Sequence, residues 1–398
     1  MDRPTPAERA FMLEALRLAA RPARRPWPNP PVGAVVVRGK EVVGRGAHHG
    51  AGTPHAEALA LAEAGDRARG STLYCTLEPC NHRGRTPPCA PAIVAAGVTR
   101  LVVAMRDPNP RVSGGGIEAA RRAGLDVSVG LCAGEALDLA WPFVVTAAFD
   151  RPFVWLKTAA SRDGFFAPAA MAPGTGPVYL TGEEARRDVH VLRRWADVVL
   201  VGARTAAADR PRLDGRLAGE DAPCPPEDPI PAVASTRLPD STPWEGRAHL
   251  AFVGPSAPAS AVRTVAAAGG TVVACAEGAS GVEPSSVLDG VRRLGKHCLL
   301  VEGGPTLAAA FLRAGLVDRW LQYTAPEPLG SGVGWPGESE TSTDRGHGGP
   351  CPLDLGFTLT RTRACGRDRL DVWDRAPFED ACAALAAGPA PGRPKGGA

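Results

Sequence analysis

Aromatic residues make up only 5% of the 398 residues, tyrosine occurs three times, and the formal net charge is +3. A surface that binds nucleic acid needs a basic stripe interleaved with stacking rings, so no nucleic-acid partner is expected. No run of 18 or more apolar residues is free of charges and prolines, so no membrane-spanning helix is expected. The opening MDRPTPAERAFMLEALRLAARPARR lacks the clean apolar run and small-residue cleavage site of a secretory signal. It reads as an amphipathic helix with Phe11, Met12, Leu16 and Leu18 or Ala19 inward. The ten cysteines are scattered singly, which fits thiols and a metal site in a reducing cytoplasm better than a disulfide framework. There is no internal repeat, and no G-x-G-x-x-G follows a strand, so a Rossmann dinucleotide site is not supported.

What is present is a chain with 44% hydrophobic residues, long enough for two domains of about 100–200 residues each. Strand and helix patterns alternate throughout, which predicts α/β architecture. The expected organisation is a first domain over 1–148, a second over 151–376, and an extension over 377–398 whose end (AGPAPGRPKGGA) is too polar and Pro/Gly-rich to bury anything. In the first part, Val32–Val37 and Val42–Gly44 read as a hairpin, His55–Ala64 as a helix, and Glu135–Ala148 as a helix broken by Pro142. In the second, Glu183–Trp195 reads as a helix capped by Thr181, with Glu184 completing a capping box.

The strongest chemical signal is His55-Ala56-Glu57 followed by Glu78-Pro79-Cys80 and then Cys89. One imidazole and two thiolates make three ligands for zinc and leave the fourth position open, as catalytic sites do. Zinc lowers the pKa of a coordinated water to about 7, and Glu57, two residues from a ligand, is placed to shuttle its proton. That combination is the zinc-deaminase pattern, except that eight residues separate Cys80 from Cys89 where two are usual. Three readings follow: a catalytic zinc whose loop carries a substrate-reading insert, a purely structural zinc, or an accidental cysteine pair with His82 or Cys75 as alternative ligands.

TLEPCNHRGRTPPC, with Asn29-Pro30-Pro31-Val32-Gly33 upstream and Asp107-Pro108-Asn109-Pro110 downstream, closely resembles the bifunctional riboflavin biosynthesis deaminase/reductases. The resemblance implies a cytidine-deaminase-like three-layer αβα domain followed by a dihydrofolate-reductase-like α/β domain. It implies zinc on His55, Cys80 and Cys89, Glu57 as proton shuttle, and a phosphoribosylamino-pyrimidine substrate met by Asn29, His48 and His82. Arg83 and Arg85 suit its phosphate, or else are solvated loop charges.

In the second half, Lys157, Ser161, Asp163-Gly164 and the stretch from Gly202 to Arg216 carry the likeness, as does Glu302-Gly303-Gly304-Pro305-Thr306. By this resemblance Arg193, Leu213, Arg216 and Glu302 face the substrate. Ala159, Tyr179, Thr205, Asp209, Thr236, Gly304, Pro305 and Thr306 face NADPH. A homo-oligomer is expected. The second half also departs from the family pattern: Phe165 replaces a basic residue, Pro177 a serine and Tyr179 a tryptophan, and Ala232–Arg237 lacks an aspartate. The alternative is therefore a deaminase alone, with a degenerate reductase-like domain as scaffold.

Overall fold

The structure, a computed structural model, describes residues 4–22, 25–109, 115–168, 178–216, 227–238, 243–279, 281–336 and 350–375. Pro177 and the extension over 377–398 lie outside the described residues. The chain divides into two compact units between Asp150 and Arg151.

The first unit runs α1 (Pro6–Ala19), β1 (Gly33–Arg38), β2 (Glu41–Ala47), α2 (Ala56–Ala64), β3 (Thr72–Leu77), α3 (Cys89–Ala95), β4 (Arg100–Met105), α4 (Gly115–Arg122), β5 (Asp126–Val129) and α5 (Ala133–Phe149). The sheet order is β2-β1-β3-β4-β5, with β1 antiparallel to both neighbours and β3, β4 and β5 parallel. Thr5 and Glu8 form a reciprocal capping box that starts α1. This helix buries Met12, Ala15, Leu16 and Ala19, while Phe11 is half-buried against Tyr74, ring centroids 5.4 Å apart. Gly44 and Gly46 let α2 rest directly on β2: a Cβ on either would overlap the carbonyl oxygen of Ala60 or Ala56. The expected break at Pro142 does not occur. Helix α5 runs through it, because burial of Leu137, Trp141, Pro142, Val144 and Val145 offsets the one missing backbone hydrogen bond.

The second unit runs β6 (Phe153–Ala160), α6 (Glu183–Trp195), β7 (Val198–Gly202), α7 (Ala203–Asp209), β8 (Ile230–Ser235), β9 (His249–Val253), α8 (Ala259–Ala267), β10 (Gly270–Ala274), β11 (Glu277–Gly278), β12 (Gly281–Val282), α9 (Pro284–Arg293), β13 (Cys298–Val301), α10 (Pro305–Arg313), β14 (Arg319–Thr324), β15 (Phe357–Cys365) and β16 (Asp368–Arg375). Nine strands form one sheet in the order β10-β9-β8-β7-β13-β6-β14-β16-β15. It is parallel from β10 to β14, and the last two strands are antiparallel. Central strands β7 and β13 are apolar runs, as strands covered on both faces must be. The Thr181 cap is corrected: the N-cap of α6 is Gly182, with no side-chain cap. Its N–H instead donates to Asp368 Oδ2 at 2.7 Å, so a β16 carboxylate anchors the start of the helix.

Candidate active site

Three chain segments converge at one end of the first sheet. His55 is the N-cap of α2, Cys80 follows β3, and Cys89 opens α3. His55 Nδ1 lies 3.5 Å from Cys80 Sγ and 3.3 Å from Cys89 Sγ. The three ligand atoms all fall within 4.8 Å of one another, the one such group among the described residues. Both ends of the Cys80–Cys89 loop are pinned: Ala90 N donates to Cys80 O at 3.0 Å, and Cys89 N to Cys80 Sγ at 3.4 Å. A hydrogen bond from the Cys89 thiol brings Cys80 down to about 4 against burial, with His55 helping. Cys89 is pushed up by the same bond and by burial. One imidazole nitrogen and two sulfurs facing one another at this spacing are the donor set zinc takes, so these residues fit a zinc ion.

Glu57 sits in the first turn of α2, 3% exposed, and burial raises its pKa. It lines a cavity of about 530 Å³ together with Asn29, His48, His55, Cys80, His82, Arg85, Thr86 and Asp107. His48 Nδ1 lies 3.2 Å from Pro54 O, which can only accept, so that nitrogen carries the proton. Its Nε2 then accepts from Asn29 Nδ2 at 2.9 Å, leaving Asn29 Oδ1 as the acceptor a ligand can use. Burial lowers the His48 pKa, in keeping with a neutral ring. His82 and Arg85 line the cavity, whereas Arg83 is exposed and does not.

Two roles were missed in the sequence. Glu78 is buried and structural: Oε1 accepts from Gly116 N at 3.1 Å and Ile117 N at 3.2 Å, holding the start of α4. Its place between an apolar strand and a ligand gave no hint of that partner, 38 residues away. Asp107, in the cavity wall, is raised to about 7, chiefly by burial.

In the second unit, Arg193 grips Glu302 through two bonds, Nε to Oε1 at 2.6 Å and Nη2 to Oε2 at 2.8 Å, with the side chains 13% and 7% exposed. Burial pushes Glu302 up, but Arg193 and Lys157 hold it below its ordinary value. Lys157, not singled out as a site residue, is lowered by burial, with Glu302 opposing. Arg193 Nη1 also donates to Asp214 O at 3.2 Å, and the Asp214 carboxylate pairs with Arg212 and Arg216. These four cations against two carboxylates leave a net positive cluster, suited to an anion.

Leu213 is 1% exposed and sits at φ +50°, a left-handed conformation unusual for its type. Thr205, Asp209 and Thr236 are half-buried beyond the C-terminal ends of β7 and β8. A Cβ on Gly304 would lie 3.6 Å from Thr205 Oγ1, so the starts of α7 and α10 face each other closely. Arg204 bridges them, donating to Thr306 Oγ1 at 2.7 Å. This is where open parallel sheets take ligands, and it fits a nucleotide cofactor. Pro305 is buried, and Ala159 on β6 is half-buried opposite Tyr323 on β14. Tyr179 is 59% exposed with the Arg186 guanidinium 4.9 Å above its ring. Phe165 is buried, its N–H bonded to Ser161 Oγ at 3.0 Å, so it anchors the turn from the core side. Ser235, in the stretch lacking the aspartate, closes a turn by accepting from Arg237 N at 2.9 Å.

Two family models match in tandem: the cytidine and deoxycytidylate deaminase zinc-binding region over residues 6–105, and the RibD C-terminal domain over 152–370. The riboflavin biosynthesis protein RibD of Aquifex aeolicus is 38% identical over 331 residues, 82% of this chain and 89% of that one. That of Escherichia coli is 40% identical over 338 residues, 81% and 88% of the two chains. The chain belongs to the RibD family. The solved structure of Acinetobacter baumannii RibD superposes with a TM-score of 0.70 at 32% identity, covering 92% of this chain and 98% of that one. A Thermotoga maritima structure described as a diaminohydroxyphosphoribosylaminopyrimidine deaminase/5-amino-6-(5-phosphoribosylamino)uracil reductase does so with TM-score 0.70 at 28% identity, covering 93% and 99%. This RibD-family chain therefore has a cytidine-deaminase-like α/β domain followed by a reductase domain, and is a bifunctional enzyme rather than a deaminase on a scaffold. Its two domains are of kinds that use a metal and a nucleotide cofactor. Among the described residues no helix is long and apolar enough to cross a membrane.

Proposed function

We propose that this chain hydrolytically deaminates 2,5-diamino-6-(5-phosphoribosylamino)pyrimidin-4-one and then reduces the ribosyl group of the product to ribityl with NADPH. The observation that carries the proposal is the His55, Cys80 and Cys89 group, two of whose members, His55 and Cys80, line one cavity with buried Glu57. In this reading residues 1–148 perform the first step, 151–376 perform the second, and 377–398 are an extension.

In the first step His55, Cys80 and Cys89 hold zinc, which supplies the Lewis acidity that makes water a nucleophile at neutral pH. Glu57 takes a proton from the attacking water and delivers it to the ring nitrogen. As the bond from carbon to the 2-amino nitrogen breaks, it gives a second proton to the departing ammonia. Oδ1 of Asn29, oriented by His48, accepts from an N–H on the base edge. His82 and Arg85 reach toward the substrate's phosphoribosyl end, where a guanidinium suits a phosphate.

In the second step the ribose reacts as its open-chain imine. NADPH bound there would supply the hydride that the imine carbon needs, with a proton taken up at the nitrogen. Arg193 and Arg216 hold the phosphate near Glu302 and Leu213, which limits the substrate's freedom beside the cofactor. Thr205, Asp209, Thr236, Gly304, Pro305 and Thr306, with Ala159 and Tyr179, form the NADPH side, a reading supported by the facing starts of α7 and α10. The chain works in the cytoplasm on small-molecule substrates, as a homo-oligomer.

Mass spectrometry of the pyrimidine product, with and without NADPH, tests both steps. The substrate should lose one amino group for one oxygen without NADPH, and gain two hydrogens only with it. An unchanged substrate in both arms refutes the reading.

A further inference from the structure

The eight residues between Cys80 and Cys89 are longer than a bare pair of ligands needs. With its ends pinned by the Ala90 N to Cys80 O bond, the segment is a closed loop that leaves the metal group and comes back to it. On the return it passes over the far side of His55. Thr86 Oγ1 lies 3.1 Å from His55 Nε2, while His55 Nδ1 faces both sulfurs. With Nδ1 on a metal, Nε2 must carry the ring proton. In that state the bond has one sense: Nε2–H donates and Thr86 Oγ1 accepts. Pro87 and Pro88 follow directly. A proline disfavours helical backbone conformations in its predecessor, which narrows where the Thr86 side chain can point.

We propose that Thr86 is the positioning residue for His55, holding the imidazole by Nε2 so that Nδ1 is presented to the metal. Imidazole ligands commonly donate their second N–H to an oxygen that fixes the tautomer and ring plane. Here that oxygen comes from the loop that also brings His82 and Arg85 to the cavity. The loop's length thus lets one segment present substrate-facing side chains and steady the ligand. The inference rests on the reading that His55, Cys80 and Cys89 hold a metal.

The test uses the full chain as wild type, Thr86→Val and Thr86→Ser, each stripped and reloaded with zinc alone, with affinity read by competition against a chromogenic chelator. Removing such a partner weakens metal binding by about 10–100-fold, and that loss is expected for Thr86→Val. Thr86→Ser, which keeps the hydroxyl, should stay within about threefold of wild type, a rescue that a merely space-filling role would not give. NADPH-dependent reduction should be unchanged in both variants and reports that the second unit is folded, while a melting curve of each variant reports the first. Wild-type zinc affinity in Thr86→Val overturns the proposal alone, as does loss of affinity in Thr86→Ser equal to that in Thr86→Val. Should Thr86→Val fail to fold, Thr86→Ser decides by the same threshold. A wild-type chain that takes up no zinc overturns the metal reading itself, and the proposal with it.

Discussion

Replacing Arg193 with alanine separates the two activities and probes the charge cluster of the second unit. The wild-type side chain makes a two-bond pair with Glu302, and both are nearly buried. Removing the guanidinium leaves a carboxylate with Lys157 and, more weakly, His190 to oppose burial. Breaking a buried pair in this way costs about 3–5 kcal/mol. For a unit of this size each kcal/mol shifts the melting temperature by about 2–4 °C, so a drop of about 6–20 °C is expected.

The pH dependence has a definite sign. Glu302 is held below its ordinary value, so its pair stabilises the fold above the ordinary glutamate range and that stability is lost as pH falls through the lowered value. In Arg193→Ala the carboxyl instead rises with burial. The penalty relative to wild type is then largest at neutral pH and shrinks on acidification toward pH 4. Melting curves of both chains at several pH values read this directly. NADPH oxidation with the deaminated intermediate should fall by at least about 100-fold, while ammonia release from the first substrate stays within about twofold. Equal loss of both activities, or a penalty that grows on acidification, refutes the reasoning.

Glu57→Gln should keep zinc at the wild-type stoichiometry yet lower deamination by about 100- to 10,000-fold, the usual worth of a general acid–base group; unchanged turnover would remove Glu57 from the proton path. Gly116→Ala forces a Cβ onto Pro79 O, an overpacking that costs about 1–3 kcal/mol. It should lower both the melting temperature and zinc retention, and an unaltered melting curve would show that α4 can move away from the metal loop.

Much of the first unit can be read from residues alone. The apolar runs of β1, β3 and β4, and the spacing of His55, Glu57, Cys80 and Cys89, are local signals. What escaped depends on distant partners. The start of α6 is anchored by Asp368, 186 residues on, so the plausible Thr181–Glu184 box misleads. Helix α5 survives Pro142 because its flanking side chains are buried, which no single-residue rule conveys. Strands β14 to β16 were not foreseen, since the edge strand β15 alternates threonine and arginine with most positions exposed. The same limit applies to the site. Thr86 and Glu78 lie inside the motif that carries the family likeness, yet their partners emerge only when the loop closes over His55 and α4 docks.

The most direct measurement of the central claim is zinc X-ray absorption on the purified full chain. The account predicts one zinc per chain with two sulfur ligands at about 2.3 Å, one imidazole nitrogen at about 2.0–2.1 Å and one light-atom ligand at the open position. A chain without bound metal, or zinc surrounded by four sulfurs, would contradict it.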